Sequence, residues 1–487
     1  MSSIEFKAPG PGSWELEQTH FAKPATRYGS SIVSEPLARG FGEGTKRYGL
    51  LLDTLRMRFV NDFAYGKFVG VGAPDKAVGP PPRPIFMVLT RLHPEIRRRT
   101  AAAPEVFEQK LWREDMRRWD EDIKPDSIRR NSELQNTPIA ALDDKAFIVY
   151  LEKVKANCEE MIYRHHIFTI SCCFPVGHFV SEVQRWTDLP SGEVLGALKG
   201  AAPISGGDGT GALDRLRTAL AAHGITADSV RGRPAARVLD DLLAKDGVAA
   251  PLQAYLDEVG YRLVSGYDIA DKYALEMPEM LVNVIFGNVD KADRKGDFSQ
   301  RRDALRAKVP AARRTEFDGL LEEARFIHRL RDERGMYNDS WGTGLARRAM
   351  LEAGRRLVAR GVLPEASLAI SASHDEISTC STAARSRPSR SCAAANGGAR
   401  RRPSRTRRRF LAPSRKARRR STGCRERHSR TPAPWTRRFA RSSTCRHARR
   451  RRNRWPACRF TPAFTRGRRG SSTARRTSTG CSRATCS

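Results

Sequence analysis

The last 110 residues of this 487-residue chain contain no Val, Ile, Met, Tyr, Asp or Gln, and a single leucine, Leu411. Such a segment buries too little apolar surface to offset the entropy of ordering, which predicts a disordered tail over residues 378–487. Other absences narrow the class. The opening MSSIEFKAPGPGSWELEQ has neither a basic region nor an apolar core, so it does not read as a secretory signal. The longest apolar run, Ile167–Val180, is too short and too interrupted to span a membrane. No CxxC pair or zinc spacing occurs. Cys158, Cys172 and Cys173 lie in the body and the other seven cysteines in the tail. Buried reduced thiols, a cytoplasmic location and no membrane or metal partner are the expectation.

Charge divides at the same place. Residues 378–487 hold 34 lysines and arginines against one acid, Glu426, a net of +33. The remaining 54 basic and 53 acidic side chains leave residues 1–377 at +1 of the chain's total of +34. The body is therefore neutral. Any nucleic-acid affinity belongs to the tail, where Trp435, Trp455, Phe460 and Phe464 offer rings for base stacking.

What is present reads as helix. Residues 1–45 form a loop-rich arm with Trp14, His20 and Phe21 in an extended aromatic segment that packs on the core or lines a pocket. Gly40, Gly42 and Gly44 lack a preceding strand and a Walker lysine, which argues against a phosphate loop. Tyr48–Tyr65 carries apolar residues at helical spacing and predicts a core helix. After the Gly79–Pro84 break, helices are predicted over Pro104–Asp122, with Trp112 and Trp119 on one face, and over Ile139–His166. Phe174-Pro175 breaks the pattern before a helix at Gly177–Trp186. Adjacent His165 and His166 point to different faces and read as pocket-lining or capping residues. Ser191 reads as the N-cap of a short helix to Leu198. Ser205–Gly211 reads as a mobile linker, because its GGDGT follows a helix rather than the strand a nucleotide loop needs.

Further helices are predicted at Ala212–His223, Pro234–Lys245, Ala249–Val259 and Arg314–Asp332, with a charged, solvated stretch at Lys291–Lys308. Between Gly260 and Pro278 an irregular segment carries Arg262, Asp268 and Asp271, the kind of backbone that forms binding surfaces. The helix around Leu345–Arg360 is amphipathic. Leu345, Ala349, Leu351, Ala353, Leu357 and Val358 supply its apolar face, and Arg347, Arg348, Glu352, Arg355, Arg356 and Arg360 its charged face. Gly361 and Pro364 stop it. No strand-rich region stands out. The fold class is mainly α: a multi-helix domain over residues 46–377, then the Arg-rich tail.

At this point a family resemblance appears. Tyr255–Ile285, "YLDEVGYRL…DIADKYALEMPEMLVNVI", resembles a segment of enzymes related to phosphoenolpyruvate synthase and pyruvate phosphate dikinase. Its form is that of the helical substrate-binding domain of rifampicin-phosphotransferase-like members. Arg331-Asp332-Glu333 and LARRAMLEAGRRLVARGVL (Leu345–Leu363) resemble the segment that follows, and Trp14–Tyr28 resembles the opening of that domain. The resemblance covers most of residues 10–377. It departs at Tyr261, where the family has His, and near Tyr267, where it has an acid.

The resemblance implies a substrate-binding body of a phosphotransferase that acts on a small molecule. In that family an ATP-grasp domain uses ATP and Mg²⁺ to phosphorylate a histidine on a swivelling domain, and the phosphohistidine passes phosphoryl to the substrate. No ATP-grasp region precedes residue 10, and no T-x-G-G-x-x-S/C-H motif occurs. His374 lacks the glycines of that motif. The chain therefore binds no cofactor of its own on this reading, has no catalytic histidine and would depend on a separate ATP-grasp protein. Trp14, His20, Arg262, Asp268, Arg331 and Glu333 are the candidate substrate-binding residues.

The tail's bias toward Arg, Ser, Thr, Ala, Pro, Gly and Cys, with one lysine among 34 cations, is that of a GC-rich gene read out of frame. Shifting Phe460–Ser487 by one base, with GC-rich codons, permits VHPGVYEGTARLVDGPEDFDRLQPGDVL, which resembles the opening of the family's phosphohistidine domain. The same shift rereads residues 378–382 as VDLLD. A frame change near Ile377 is the expectation. The alternative is a nucleic-acid-binding protein that uses the tail as a basic arm.

Overall fold

The computed structural model describes residues 7–199, 211–287 and 291–383, the side chains of 291–297 and 381–383 excepted. Most of residues 205–211 and of the tail, 384–487, lie outside the described residues, and with them the linker and disorder expectations.

The described chain is mainly helical, as its patterning predicts. β1 (Glu15–Leu16) leads to α1 (Arg27–Arg47), then to β2 (Leu52–Val60) and β3 (Phe63–Gly70). Next come α2 (Arg83–Leu92), α3 (Pro94–Glu108), α4 (Leu111–Arg118), a π-helical turn at Trp119–Ile123 and α5 (Lys124–Gln135). The long helices α6 (Asp144–Ile167) and α7 (Thr169–Trp186) precede the short α8 (Ser191–Leu195). A helical group follows: α9 (Ala212–Ala222), α10 (Ala227–Val230), α11 (Ala235–Leu243), α12 (Ala249–Val259) and α13 (Pro278–Phe286). α14 (Lys291–Lys308) and α15 (Arg314–Arg334) run to a second π-helical turn at Gly335–Asp339, which opens α16 (Ser340–Ala359); α17 (His374–Ala383) ends the described chain.

Two expectations near the N-terminus are overturned. Residues 1–45 are not all loop, because 27–47 form α1, capped by the Thr26 hydroxyl accepting from Gly29 N. The glycines taken for loop residues lie inside this helix. A methyl at Gly40 would meet the Tyr163 carbonyl at 2.5 Å, and one at Gly44 would meet the Ile167 carbonyl at 3.0 Å. They let α1 lie against α6 backbone to backbone, a use of glycine that mimics a loop signal in sequence. Tyr48–Tyr65 is not a helix. It enters a hairpin in which Val60 faces Phe63 across the two-residue loop Asn61-Asp62, both at positive φ, as a twisted hairpin requires. β1 adds to the other edge of β3, giving the order β1-β3-β2.

Three further differences are smaller. α7 continues through Pro175, because Pro175, Phe179 and Val183 are all buried on its inner face and packing outweighs the lost hydrogen bond. Ser191 is the first residue of α8, whose N-cap is Pro190. Pro104–Asp122 is divided by Lys110, at positive φ, into α3 and α4.

One core joins α1, the hairpin, α6 and α16 through Tyr28, Ile32, Met57, Phe147, Leu151, Ala346 and Met350, and it takes in Ile377 and Cys380 of α17. The folded body thus runs past Ile377 to Ala383, two turns into what the composition assigns to the tail. A second core holds α9, α11, α12 and α13 together. A third brings Trp112 and Trp119 against Phe168, Leu330 and Trp341. α16 is buried nearly all round. Arg347 and Glu352, read as part of its charged face, are 7% and 6% exposed and pair with Glu276 and with Arg355 and Arg356. Gly361, at φ 72°, ends the helix as predicted.

Candidate functional site

The irregular segment between α12 and α13 is laid along the start of α16. Leu263 N donates to Ser340 O at 3.2 Å, and Ser340 Oγ returns a bond to Leu263 O at 3.1 Å. Gly344 makes this approach possible, because any side chain there would strike the Tyr261 carbonyl. The N-terminal arm meets the same segment. Asp268, 6% exposed, accepts from Thr26 N at 3.0 Å, Thr26 Oγ1 at 3.1 Å and Ala270 N at 2.8 Å. Its carboxylate therefore fixes the start of α1, and burial pushes its pKa up. Lys23 lies 3.8 Å from Asp271, and the His20 ring stands edge-on to Tyr267 at 4.9 Å.

The π-helical turn at 335–339 supplies the floor of this seam. Such turns widen the backbone spiral by one residue and recur where a helix must aim side chains at a site. Asp339 Oδ1 is 2.9 Å from His165 Nδ1, with the two side chains 13% and 12% exposed. His165 Nε2 makes no hydrogen bond among the described residues. It is not among the sealed orphan atoms either, so it reaches solvent. Burial, with Arg334 adding to it and Asp339 opposing, pushes the His165 pKa below the ordinary histidine value; His166 beside it is pushed well below. His165 is therefore neutral near pH 7, with its Nδ1 proton held by Asp339. Arg334 Nη1 donates to His165 O and Thr169 Oγ1, each at 2.7 Å. Tyr267 is raised by burial and feels the charges of Asp339, Arg334, Arg331 and Asp332.

On the other flank, Arg262 lies under the rings of Tyr337 at 4.7 Å and Trp341 at 5.2 Å. Its nearest acid, Glu258, is 3.6 Å away, beyond a good hydrogen bond. Arg262 Nε and Nη2, Arg334 Nε and both amide atoms of Asn338 are buried without a hydrogen-bond partner. Native interiors hold few such atoms, and each calls for a reason.

The six sequence candidates separate. His20, Arg262 and Asp268 lie on the seam, and exposed Arg331 acts on it electrostatically. Trp14 packs elsewhere, 4% exposed, beneath Arg58 and Lys67 with its indole N–H on Pro11 O at 3.2 Å. Glu333 binds the body together: it accepts from the Trp119 indole and Lys124 Nζ at 2.9 Å each and from Arg329 at 3.1 Å. The sequence reading marked His165 but missed Asp339. The signal available was an Asp just before the α16 pattern, in a stretch of interrupted helix.

Among the described residues no group of three or more His, Cys, Asp or Glu is arranged to hold a metal ion, and no helix is long and apolar enough to cross a membrane. No protein-family model matches the chain, and no curated protein matches it.

Proposed function

We propose that the folded body is the acceptor-binding part of a phosphotransferase that receives phosphoryl from a phosphohistidine, as its resemblance to the phosphoenolpyruvate-synthase group implies. The observation that carries this reading is convergence. Three stretches that bear the resemblance, 14–28, 255–285 and 345–363, come together through Thr26–Asp268, His20–Tyr267 and Arg347–Glu276. Stretches distant in sequence gain nothing from shared motifs unless they build one site.

The seam's chemistry suits such an acceptor. Phosphoryl transfer depends on placing the attacking oxygen and neutralising charge on the moving group. Arg331 provides an exposed cation and Arg334 a second one behind it, whereas the unbonded groups of Arg262 and Asn338 are sealed beneath the seam and would reach a ligand only if the seam opened. The donor histidine is not in this chain, which has no T-x-G-G-x-x-S/C-H motif. The body alone therefore binds without transferring.

The test is the gene itself, sequenced from codon 360 onward on both sides of the stop codon. One base added or lost near codon 377 should open a frame that reaches the glycine-flanked histidine motif. The restored chain, given ATP and Mg²⁺ with an ATP-grasp partner, should then carry acid-labile phosphate on that histidine. A confirmed reading frame with no such motif downstream would overturn the proposal.

A further inference from the structure

We infer that the His165–Asp339 dyad is the general base of this seam, taking the proton from a hydroxyl on a neutral small-molecule acceptor. The inference rests on the phosphotransferase reading and adds to it the residues that activate the acceptor. Three observations carry it. Asp339 holds His165 by its Nδ1 atom at 2.9 Å, which leaves the Nε2 lone pair as the acceptor. Nε2 is unpaired yet not sealed from solvent. The His165 and Asp339 side chains are 12% and 13% exposed, so the dyad lies at the edge of the interior rather than sealed inside it.

The groups facing His165 are Arg334 from α15, Asp339 from the π-helical turn, His166 from α6 and His20 from the N-terminal arm. With Arg331 and Asp332 next to Tyr267, cations and acids balance. A site so balanced favours a neutral hydroxyl compound over a carboxylate.

The step balances with a phosphohistidine as donor. The acceptor oxygen attacks phosphorus while its hydrogen passes to His165 Nε2. The new P–O bond forms as the donor's P–N bond breaks, and that electron pair returns to the donor imidazole. Asp339 accepts from His165 Nδ1 throughout and steadies the imidazolium, the role of the buried acid in hydrolase triads.

Diethyl pyrocarbonate, which acylates neutral imidazole, tests the dyad on the full chain without any donor. Peptide mass spectrometry follows each histidine between pH 5 and 8, with exposed His223, outside the seam, as the reference. His165 should be acylated, with a pH midpoint below the ordinary value of about 6.5. Asp339→Asn should slow it by roughly tenfold or more while the reference keeps its rate. If His165 stays unmodified, or Asp339→Asn leaves its rate unchanged, the inference is overturned. Should Asp339→Asn fail to fold, ¹⁵N NMR of the histidine-labelled wild-type chain decides. A proton on Nδ1 and a bare Nε2 support the dyad, and the opposite tautomer overturns it. A gene without the histidine motif would remove the phosphotransferase reading and leave these measurements untouched, so the two fail separately.

Discussion

Glu333 and Arg262 are equally hidden, 4% and 5% exposed, and the fold treats them in opposite ways. Glu333 is surrounded by Trp119, Lys124 and Arg329, all donating to it. Glu323 is held in the same manner by Trp112, Lys110 and Arg113, and Asp115 by Arg47, Tyr48 and Ser171. Glu333 ties α15 to α5 and the π-helical turn at 119–123, Asp115 ties α4 to α1 and α7, and Glu323 ties α15 to α4. Arg262, by contrast, has two nitrogens without a hydrogen bond and only a loose 3.6 Å ion pair with Glu258, and neither amide atom of the Asn338 side chain is hydrogen-bonded. The ionic lattice is built for the fold. The seam keeps donors and acceptors that the fold does not use.

The comparison breaks first, and hardest, at the lattice. Glu333→Gln removes the charge that Lys124 and Arg329 share, and it should cost about 3–5 kcal/mol in urea unfolding, as loss of one partner from a buried ion pair does. A loss below about 1 kcal/mol would make the lattice no more than surface pairing. Next is Gly344→Ala, which pushes the 261–263 segment off α16. The overpacking should cost about 1–3 kcal/mol, and exposure of the Trp341 indole should be visible in its fluorescence. An unchanged melting curve would mean that the seam is loose enough to yield.

Acid sharpens the contrast by sign. Burial lowers the pKa of His165, His166, His178 and His328. Above the ordinary histidine value both folded and unfolded states are neutral there, and stability is flat. As pH falls below about 6.5 the unfolded chain takes up protons first, so stability declines. His165→Gln should reduce that slope. The carboxylates act lower. The His20 hydrogen bond holds Glu17 at about 2, and Arg113, Lys110 and Trp112 overcome burial to hold Glu323 at about 2. Their contribution is complete above the usual carboxylate range and lost as pH falls through about 2. A stability curve that rises between pH 6.5 and 5 would contradict the first assignment.

Helix content was legible because its signals are local. Ala249–Val259 matches to the residue, Pro278 opens α13, and Gly361 stops α16. The failures came where tertiary contact decides. Gly40 and Gly44 look like loop residues until α6 is seen against them. The Asn61-Asp62 turn was readable, but the apolar spacing around it fitted a helix as well as a strand. Arg347 and Glu352 sit at polar positions of a helix whose exposed side is confined to its last turns, around Arg355. The site was half legible. The segment 260–277 was found from its polar, irregular character, but Asp268 proved an anchor for Thr26. Glu333 and Trp14 proved packing residues, and Asp339 was invisible because its meaning depends on His165, 174 positions away.

Arg262→Met in urea is the most direct test of the claim that the seam is kept for a ligand rather than for stability. A buried cation whose Nε and Nη2 make no hydrogen bond, and which pairs with Glu258 only at 3.6 Å, should be replaceable by an apolar side chain of similar length at a cost of no more than about 1 kcal/mol. A loss of about 3 kcal/mol, matching that expected at Glu333, would make Arg262 part of the same structural lattice and contradict the account.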